Sequence, residues 1–375
     1  MLMGMPMRLR KGFERSAESV TPGHPDKICD QIADSLVDLA IQRDKYHSHR
    51  MAAEVTGGHG RIFITGECKV PGSVASFQSR VGPLVRKVYK EITHDDIDSI
   101  TLHMAKQSPN IAQGVDPGGA GDQGVMIGFA TTETPEMMPL PFMLARKLSS
   151  LLYQVAQSGK VHWMHTDGKT EVVMKNNQVE TLVIAIQHKK GVTKEEMTHD
   201  LYSHVIEPTL GYMPKNFVLN GGGEFHIGGF AADAGTTGRK LVIDNYGPEI
   251  PIGGGAYSGK DPTKVDRSAA YMARFIAKNI VAHHVSGAKE ALVHLAYAIM
   301  KEEPMGLIAI TDKGVDVSPW VREHFDLRPK AIIETLNLWR PIYRTVNVGG
   351  HYGVDHVAHP GLLHIWTWEA IRTDL

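Results

Sequence analysis

Ile28, Ile32, Leu36 and Leu39 return at the spacing of one helical face, which predicts a helix over residues 25–43. Residues 51–56 and 61–70 then read as extended, and the glycine-rich turn Gly57-Gly58-His59-Gly60 between them suits a hairpin. A second helix is expected over 74–92. The same order returns twice. In the middle of the chain a helix over 139–157 precedes strands 170–175 and 178–188, joined at Asn176-Asn177, and a helix over 193–210. Near the end, Val265, Ala269, Met272, Ala273, Ile276, Ala277 and Ile280 mark a helix over 262–284, followed by strands 291–300 and 306–311 and a helix over 319–338. The expected fold class is α/β (α+β), with three similar units, each a sheet covered on one face by helices. Two glycine-rich polar stretches, 107–124 and 220–258, fall between the units, where long irregular segments are usually functional or disordered.

Composition narrows the class. A chain of 375 residues, 42% hydrophobic, can bury a sizeable core and divide into two or three domains. Forty basic against forty-one acidic residues leave no global pull towards nucleic acid or membrane, so anion binding must come from local clusters. No apolar run has transmembrane length, and the Met-rich, basic stretch 1–15 lacks the apolar region of a signal peptide. Cys29 and Cys68 are few for this length, which favours buried thiols in a reducing compartment, so a cytoplasmic protein is expected.

Candidate chemistry concentrates between Gly253 and Arg267, GGGAYSGKDPTKVDR. Glycines let backbone approach a ligand, lysines neutralise phosphate oxygens, and carboxylates hold a hard cation. Gly254 to Lys260 nearly satisfies a P-loop, but Asp261 stands where the motif needs a hydroxyl. Asp261-Pro262 reads instead as a helix cap followed by proline at the first helical position. In SAESVTPGHPDK, His24 precedes Pro25 and stands outside a helix N-terminus, where an anion is favoured. Asp26 lies in that first turn, while Asp30, Asp34 and Asp38 continue an i, i+4 stripe read as a solvated face. Gln107 and Asp122 lie in a stretch read as a lid with glycine hinges and could recognise the polar groups of an amino acid. Arg239-Lys240 adds a cationic pair. The histidines at 351, 356, 359 and 364 are irregularly spaced without cysteine support, so they are not read as a zinc site.

Together GHPDK at 23–27, GAGDQG at 119–124, TGRK at 237–240 and GGGAYSGKDPTKVDRSA at 253–269 resemble the S-adenosylmethionine synthetase (methionine adenosyltransferase) family, bacterial type, in the family's own order from about Ser16 to Tyr352. The resemblance implies three domains about a pseudo-threefold axis, with sequence-level limits at 12–113, 118–231 and 232–375 that are discontinuous in space. It also implies a homodimer or homotetramer with active sites at the subunit interface. The implied reaction joins ATP and L-methionine by attack of the thioether sulfur on C5′ of ATP, then hydrolyses the bound triphosphate to pyrophosphate and phosphate. A thioether has no proton to lose, so such a site needs in-line orientation and anion stabilisation and no general base.

By the same resemblance, His24, Lys169, Arg239 and Lys260 are catalytic. ATP would be held by His24, Asp167, Lys169, Phe225 (stacking on adenine), Asp233, Arg239, Lys240, Ala256 and Lys260. Methionine would lie among Glu67, Gln107, Asp122, Asp233 and Lys264. Asp26 and Asp266 would hold two Mg²⁺ per site, and Glu54 would hold K⁺. Three departures from the family pattern stand out: Thr21-Pro22 before GHPDK, Glu224 where arginine usually precedes Phe225, and a short loop between Gln107 and Gly121. Two other readings compete, a phosphotransferase built on 254–260 that releases ADP and an inactive nucleotide-binding module. Asp261 argues against the first, and the presence of His24, Asp26, Lys264 and Asp266 against the second.

Overall fold

The structure is a computed structural model that describes residues 13–42, 44, 46–70, 72–107, 119–354 and 360–375. Its strands are β1 (Arg15–Val20), β2 (Arg50–Gly58), β3 (Arg61–Lys69), β4 (Ser99–Lys106), β5 (Gly124–Thr131), β6 (Met164–Lys175), β7 (Gln178–His188), β8 (Asn216–Leu219), β9 (Gly235–Thr236), β10 (Glu290–Tyr297) and β11 (Gly306–Thr311). The helices are α1 (Pro25–Ile41), α2 (Val74–Thr93), α3 (Leu140–Ser158), α4 (Lys194–Leu201), α5 (Glu207–Leu210), α6 (Leu241–Asp244), α7 (Val265–Ala282), α8 (Ser318–His324), α9 (Pro329–Thr335) and α10 (Tyr343–Gly349).

Turn chemistry sets two of the hairpins. His59 and Gly60 take φ of 48° and 76° between β2 and β3, and Asn176 and Asn177 take 49° and 63° between β6 and β7. Paired left-handed residues match the twist of the strands that they join. The strands assemble into three sheets, ordered β4-β3-β2-β9, β1-β6-β7-β8 and β11-β10-β5. Each sheet borrows an edge. β1, which leads the first segment, pairs with β6; β5, which leads the second, pairs with β10; β9, which leads the third, pairs with β2. This exchange is cyclic, as a threefold relation among like units requires, and it crosses both sequence-level boundaries.

α1 lies on β2, α3 on β1 and β6, and α7 on β5 and β10, which gives the mixed α/β architecture expected. Every residue of α7 from Val265 to Val281 is buried, so its cations need partners inside the protein. Arg274 meets Glu369 through Nε and Nη2 at 2.9 Å each, and Lys278 Nζ lies 2.9 Å from the same carboxylate. On the outer faces Phe63, Val125, Val218 and Ile308 remain exposed. Among the described residues no helix is long and apolar enough to cross a membrane. Cys29 and Cys68 are both free and buried.

Several expectations need correction. The stripe on α1 is not a solvated face. Asp30 accepts from Gly238 N at 2.8 Å and Lys27 Nζ at 3.1 Å, and Asp34 from Gly259 N at 2.9 Å, Asn347 Nδ2 at 3.0 Å and Arg267. Asp38 takes the first N–H groups of α10, from Tyr343 at 2.9 Å and Arg344 at 3.0 Å. Carboxylates at this spacing serve equally as a wet stripe or as a row of acceptors for loop N–H groups, and tertiary packing chose the second. Burial pushes the Asp38 carboxyl up to about 7, against the pull of those N–H donors.

Asp261 does not cap α7. Its carboxylate accepts from Thr263 N and Oγ1 at 2.8 and 2.6 Å and from Met51 N at 2.8 Å, so α7 starts later, with Lys264 at its N-cap. The helix expected over 319–338 is two, because Arg328 precedes Pro329 and is forced extended at ψ 137°. The 193–210 helix contains a π turn, Tyr202–Ile206, between α4 and α5. β6 begins six residues before its expected start, beyond a register shift between Met164 and Gly168. β1, β4, β5, β8 and β9 had no counterpart in the periodicity. β9 spans two residues, and β1 is mostly polar.

Candidate functional site

Proline at the start of α1 requires an extended residue before it, and His24 takes φ −65° and ψ 141° as the N-cap. His24 Nδ1 accepts from Asp26 N at 3.1 Å, so the ring proton of the neutral imidazole belongs on Nε2. Burial lowers its pKa to about 3, with the charges of Lys240 and Lys169 pulling the same way. The result is a neutral N–H donor at the positive end of a helix, flanked by cations.

Asp26 follows directly. Its Oδ1 accepts from Thr236 N at 2.9 Å, its Oδ2 lies 2.5 Å from Lys240 Nζ, and Arg239 Nε is 3.6 Å away. Burial by itself would raise this carboxyl, but Lys240, the Thr236 N–H and Arg239 hold it below its usual range. These partners arrive because β9 pairs with β2 and carries the TGRK turn to the start of α1. Asp167 lies at the irregular ladder of β6 and accepts from Gly229 N at 2.8 Å. Burial pushes it up to about 6, with the Gly229 N–H and Lys169 opposing. Lys169 and Asp233 are exposed beside this group. Phe225 is half-buried and clamped by His188, whose Nε2 accepts from Phe225 N at 3.1 Å and whose backbone N donates to Phe225 O at 2.9 Å.

A second constellation forms on β2. Lys260 bridges to Ala52, Ala53 N donates to Gly259 O at 3.0 Å, and Asp261 N donates to Met51 O at 3.0 Å, so the glycine-rich loop lies along the strand as an added edge. Gly259 has φ +83°, and a Cβ there would stand 2.0 Å from Ala53 O. Gly259→Ala is therefore expected to lower stability by at least about 1–3 kcal/mol, read as a lower denaturant midpoint. An unchanged midpoint would show that the loop can leave β2 without cost.

Lys260 Nζ lies 2.5 Å from Asp266 Oδ2. Burial raises the Asp266 carboxyl, Lys260 opposes this and Asp122 adds to it. Burial raises Glu54 too, partly offset by Lys260. A Cβ on Gly238 would meet Ala256 Cβ at 2.6 Å, so this loop touches the TGRK turn. Lys264 is 6% exposed, and its ammonium has no bonded partner among the described residues. Gln107 is buried, with Nε2 3.5 Å from Glu67 Oε1, at the outer limit of a hydrogen bond. Residues 108–118 lie outside the described residues, and with them most of the lid and the shortened loop. His356 and His359 also lie outside them.

The expected residues thus gather into two groups within one chain. His24, Asp26, Asp167, Lys169, Asp233, Arg239 and Lys240 surround the start of α1, with Phe225 tethered through His188 and Gly229. Glu54, Asp122, Ala256, Lys260 and Asp266 gather on β2, with Lys264 at the head of α7 and Glu67–Gln107 at the β3–β4 edge. Asp30 and Asp34, which the sequence reading set aside, join the groups by holding Gly238 and Gly259. Among the described residues no three His, Cys, Asp or Glu cluster as a metal cage. Single carboxylates beside lysines suit a hard cation that takes most of its oxygens from phosphate and water.

Three family models cover most of the chain. Those for the N-terminal, central and C-terminal domains of S-adenosylmethionine synthetase match residues 13–113, 117–225 and 227–361. The S-adenosylmethionine synthase of Leifsonia xyli subsp. xyli is 40% identical over 394 aligned positions, covering 95% of each chain. That of Thermus thermophilus is 41% identical over 377, covering 90% of this chain and 93% of its own, and that of Petrotoga mobilis is 40% identical over 390, covering 92% and 94%.

Proposed function

Since this chain belongs to the S-adenosylmethionine synthetase family and is thereby a methionine adenosyltransferase, we propose that the group at the start of α1 and the group on β2 are the two halves of its ATP and L-methionine site. The observation that carries this reading is His24, a neutral Nε2–H donor between Lys169 and Lys240 at a helix N-terminus. Such a donor is suited to the bridging oxygen of a triphosphate as C5′ is attacked, because it lowers the charge growing there without first losing a proton. Lys169, Arg239, Lys240 and Lys260 bind the phosphates. Asp167 and Phe225 hold the nucleoside, with Ala256 against it and Asp233 between the adenosine and the methionine. Glu67, Gln107, Asp122 and Lys264 surround methionine, where the unpartnered Lys264 ammonium suits its carboxylate. The sulfur attacks in line, and the retained triphosphate is then cleaved to pyrophosphate and phosphate.

Asp26 and Asp266 would each hold one of two Mg²⁺, and Glu54 a K⁺; when bound, these ions supply positive charge against the triphosphate. The acidic partners of Lys240 and Lys260 keep those ammonium groups oriented until substrate arrives. Each group contains only part of the machinery, and exposed Phe63, Val125, Val218 and Ile308 give the sheets apolar outer faces that a second copy would cover. A homodimer or homotetramer with sites between subunits accounts for both features. The free, buried cysteines fit a reducing cytoplasm.

One assay tests the reaction. ATP, methionine, Mg²⁺ and K⁺ should yield S-adenosylmethionine with equal phosphate and pyrophosphate, and ADP as product would overturn the reading in favour of phosphotransfer.

A further inference from the structure

The segment from Asn220 to Gly229 contains five glycines in ten residues, so side chains impose little order on its backbone. Asn220 Oδ1 fixes one end by accepting from Ile186 N at 2.9 Å, and Asp167 fixes the other through Gly229 N at 2.8 Å. The middle is fixed by side chains for which the reaction has no other use. His188 at the end of β7 accepts from Phe225 N through Nε2, and its Nδ1 faces Lys189 O at 2.9 Å, which places its single proton on Nδ1. The ring of His226 stands edge-on to that of His188, with centroids 4.6 Å apart and planes at 68°. His226 Nδ1 faces His188 O at 3.2 Å, and its Nε2 faces the Glu224 carboxylate. Both ring nitrogens of His226 therefore face oxygen atoms, which set the ring between the end of β7 and Glu224. Gln187 Nε2 adds a bond to His226 O at 3.3 Å.

We propose that Glu224, His226 and His188 form a clasp that positions Phe225 against the purine base, making His226 a positioning residue for ATP. This rests on the reading of Phe225 as the adenine-stacking residue. In the clasp Glu224 is no longer a reversed charge facing the nucleotide. Its carboxylate is turned onto the His226 ring, and the pair replaces backbone stiffness that the glycines do not provide. Loss of the clasp frees the loop, and the cost of re-ordering it falls on nucleotide binding.

The test separates base from phosphate. His226→Val should raise KM for ATP about tenfold, the loss of a charge-assisted bond of about 1.4 kcal/mol, with kcat and KM for methionine within about twofold. Glu224→Ala should raise KM for ATP about threefold, since the carboxylate is largely exposed. The double variant should be no worse than His226→Val, because the two residues form one unit. Competitive inhibition by inorganic tripolyphosphate, which has no base, should be unchanged throughout. Additive effects, an unchanged KM for ATP, or an equal loss of tripolyphosphate binding would each overturn the clasp. Phe225→Leu is the control for the parent reading. If it leaves KM for ATP unchanged, stacking itself fails and the inference falls with it; if it raises KM while His226→Val does not, the clasp alone fails.

Discussion

His24→Asn is expected to slow S-adenosylmethionine formation by about 10²–10³-fold, the usual cost of removing one donor aimed at developing negative charge. Asparagine is chosen because it can still cap α1, replacing the bond from Asp26 N to His24 Nδ1, while it removes the Nε2–H. Stability should therefore change little. A normal denaturant midpoint combined with a rate within tenfold of the parent would sink the assigned role. His24 also makes a pH prediction. Its folded pKa of about 3 lies below the ordinary 6.5, so it stays neutral across the working range and contributes no titration to the rate there. The unfolded chain binds this proton more readily, so the neutral ring costs stability as pH falls from about 6.5 towards 3. His24→Asn should flatten that part of the stability profile.

Glu369→Gln should be the most damaging change away from the site. Arg274, Lys278 and Glu369 are all fully buried, and the carboxylate receives a two-pronged bond from Arg274, one from Lys278 and one from Gly353 N at 3.0 Å. An amide of the same shape leaves two buried cations without their counter-charge, at a cost of about 3–5 kcal/mol. Urea unfolding should show a lower midpoint at unchanged slope, and a loss below about 1 kcal/mol would mean that the cluster is not held by charge. Burial alone would raise the Glu369 carboxyl, yet Arg274 and Lys278 bring it down to about 2 from 4.5. Its contribution is thus present above about pH 4.5 and is lost as pH falls towards 2, and the variant should lack that acid-labile increment. Of the two cations, the Arg274 guanidinium lowers Glu369 more than the Lys278 ammonium does. Since α7 carries Lys264 and Asp266 at its head, the tail that contains Glu369 indirectly braces the site.

Much of this was legible in the chain. The hairpin at Asn176-Asn177 and helix α1 formed where turn chemistry and apolar spacing placed them, because both depend on neighbours close in sequence. Histidine before Pro25 gave an extended cap for the same local reason. The acidic stripe of α1 was visible as a pattern, but its partners Gly238, Gly259 and Tyr343 lie more than two hundred residues away. Asp261 followed the same rule. Its cap-like context was local, but its bond to Met51 N depended on the loop lying along β2. His188 and His226 gave no signal at all, since a lone histidine after a strand has many ordinary uses.

The sequence alone determined helix α1, the β2–β3 and β6–β7 hairpins and the extended cap before Pro25, because each is set by local spacing and residue chemistry. The tertiary structure decided which segments meet: the cyclic exchange of β1, β5 and β9, the burial of the α1 carboxylates and the gathering of charged side chains at the start of α1 and on β2. Those outcomes depend on backbone N–H groups and edge strands finding partners across the chain, and every residue carries the same backbone groups, so no sequence pattern specifies the partner.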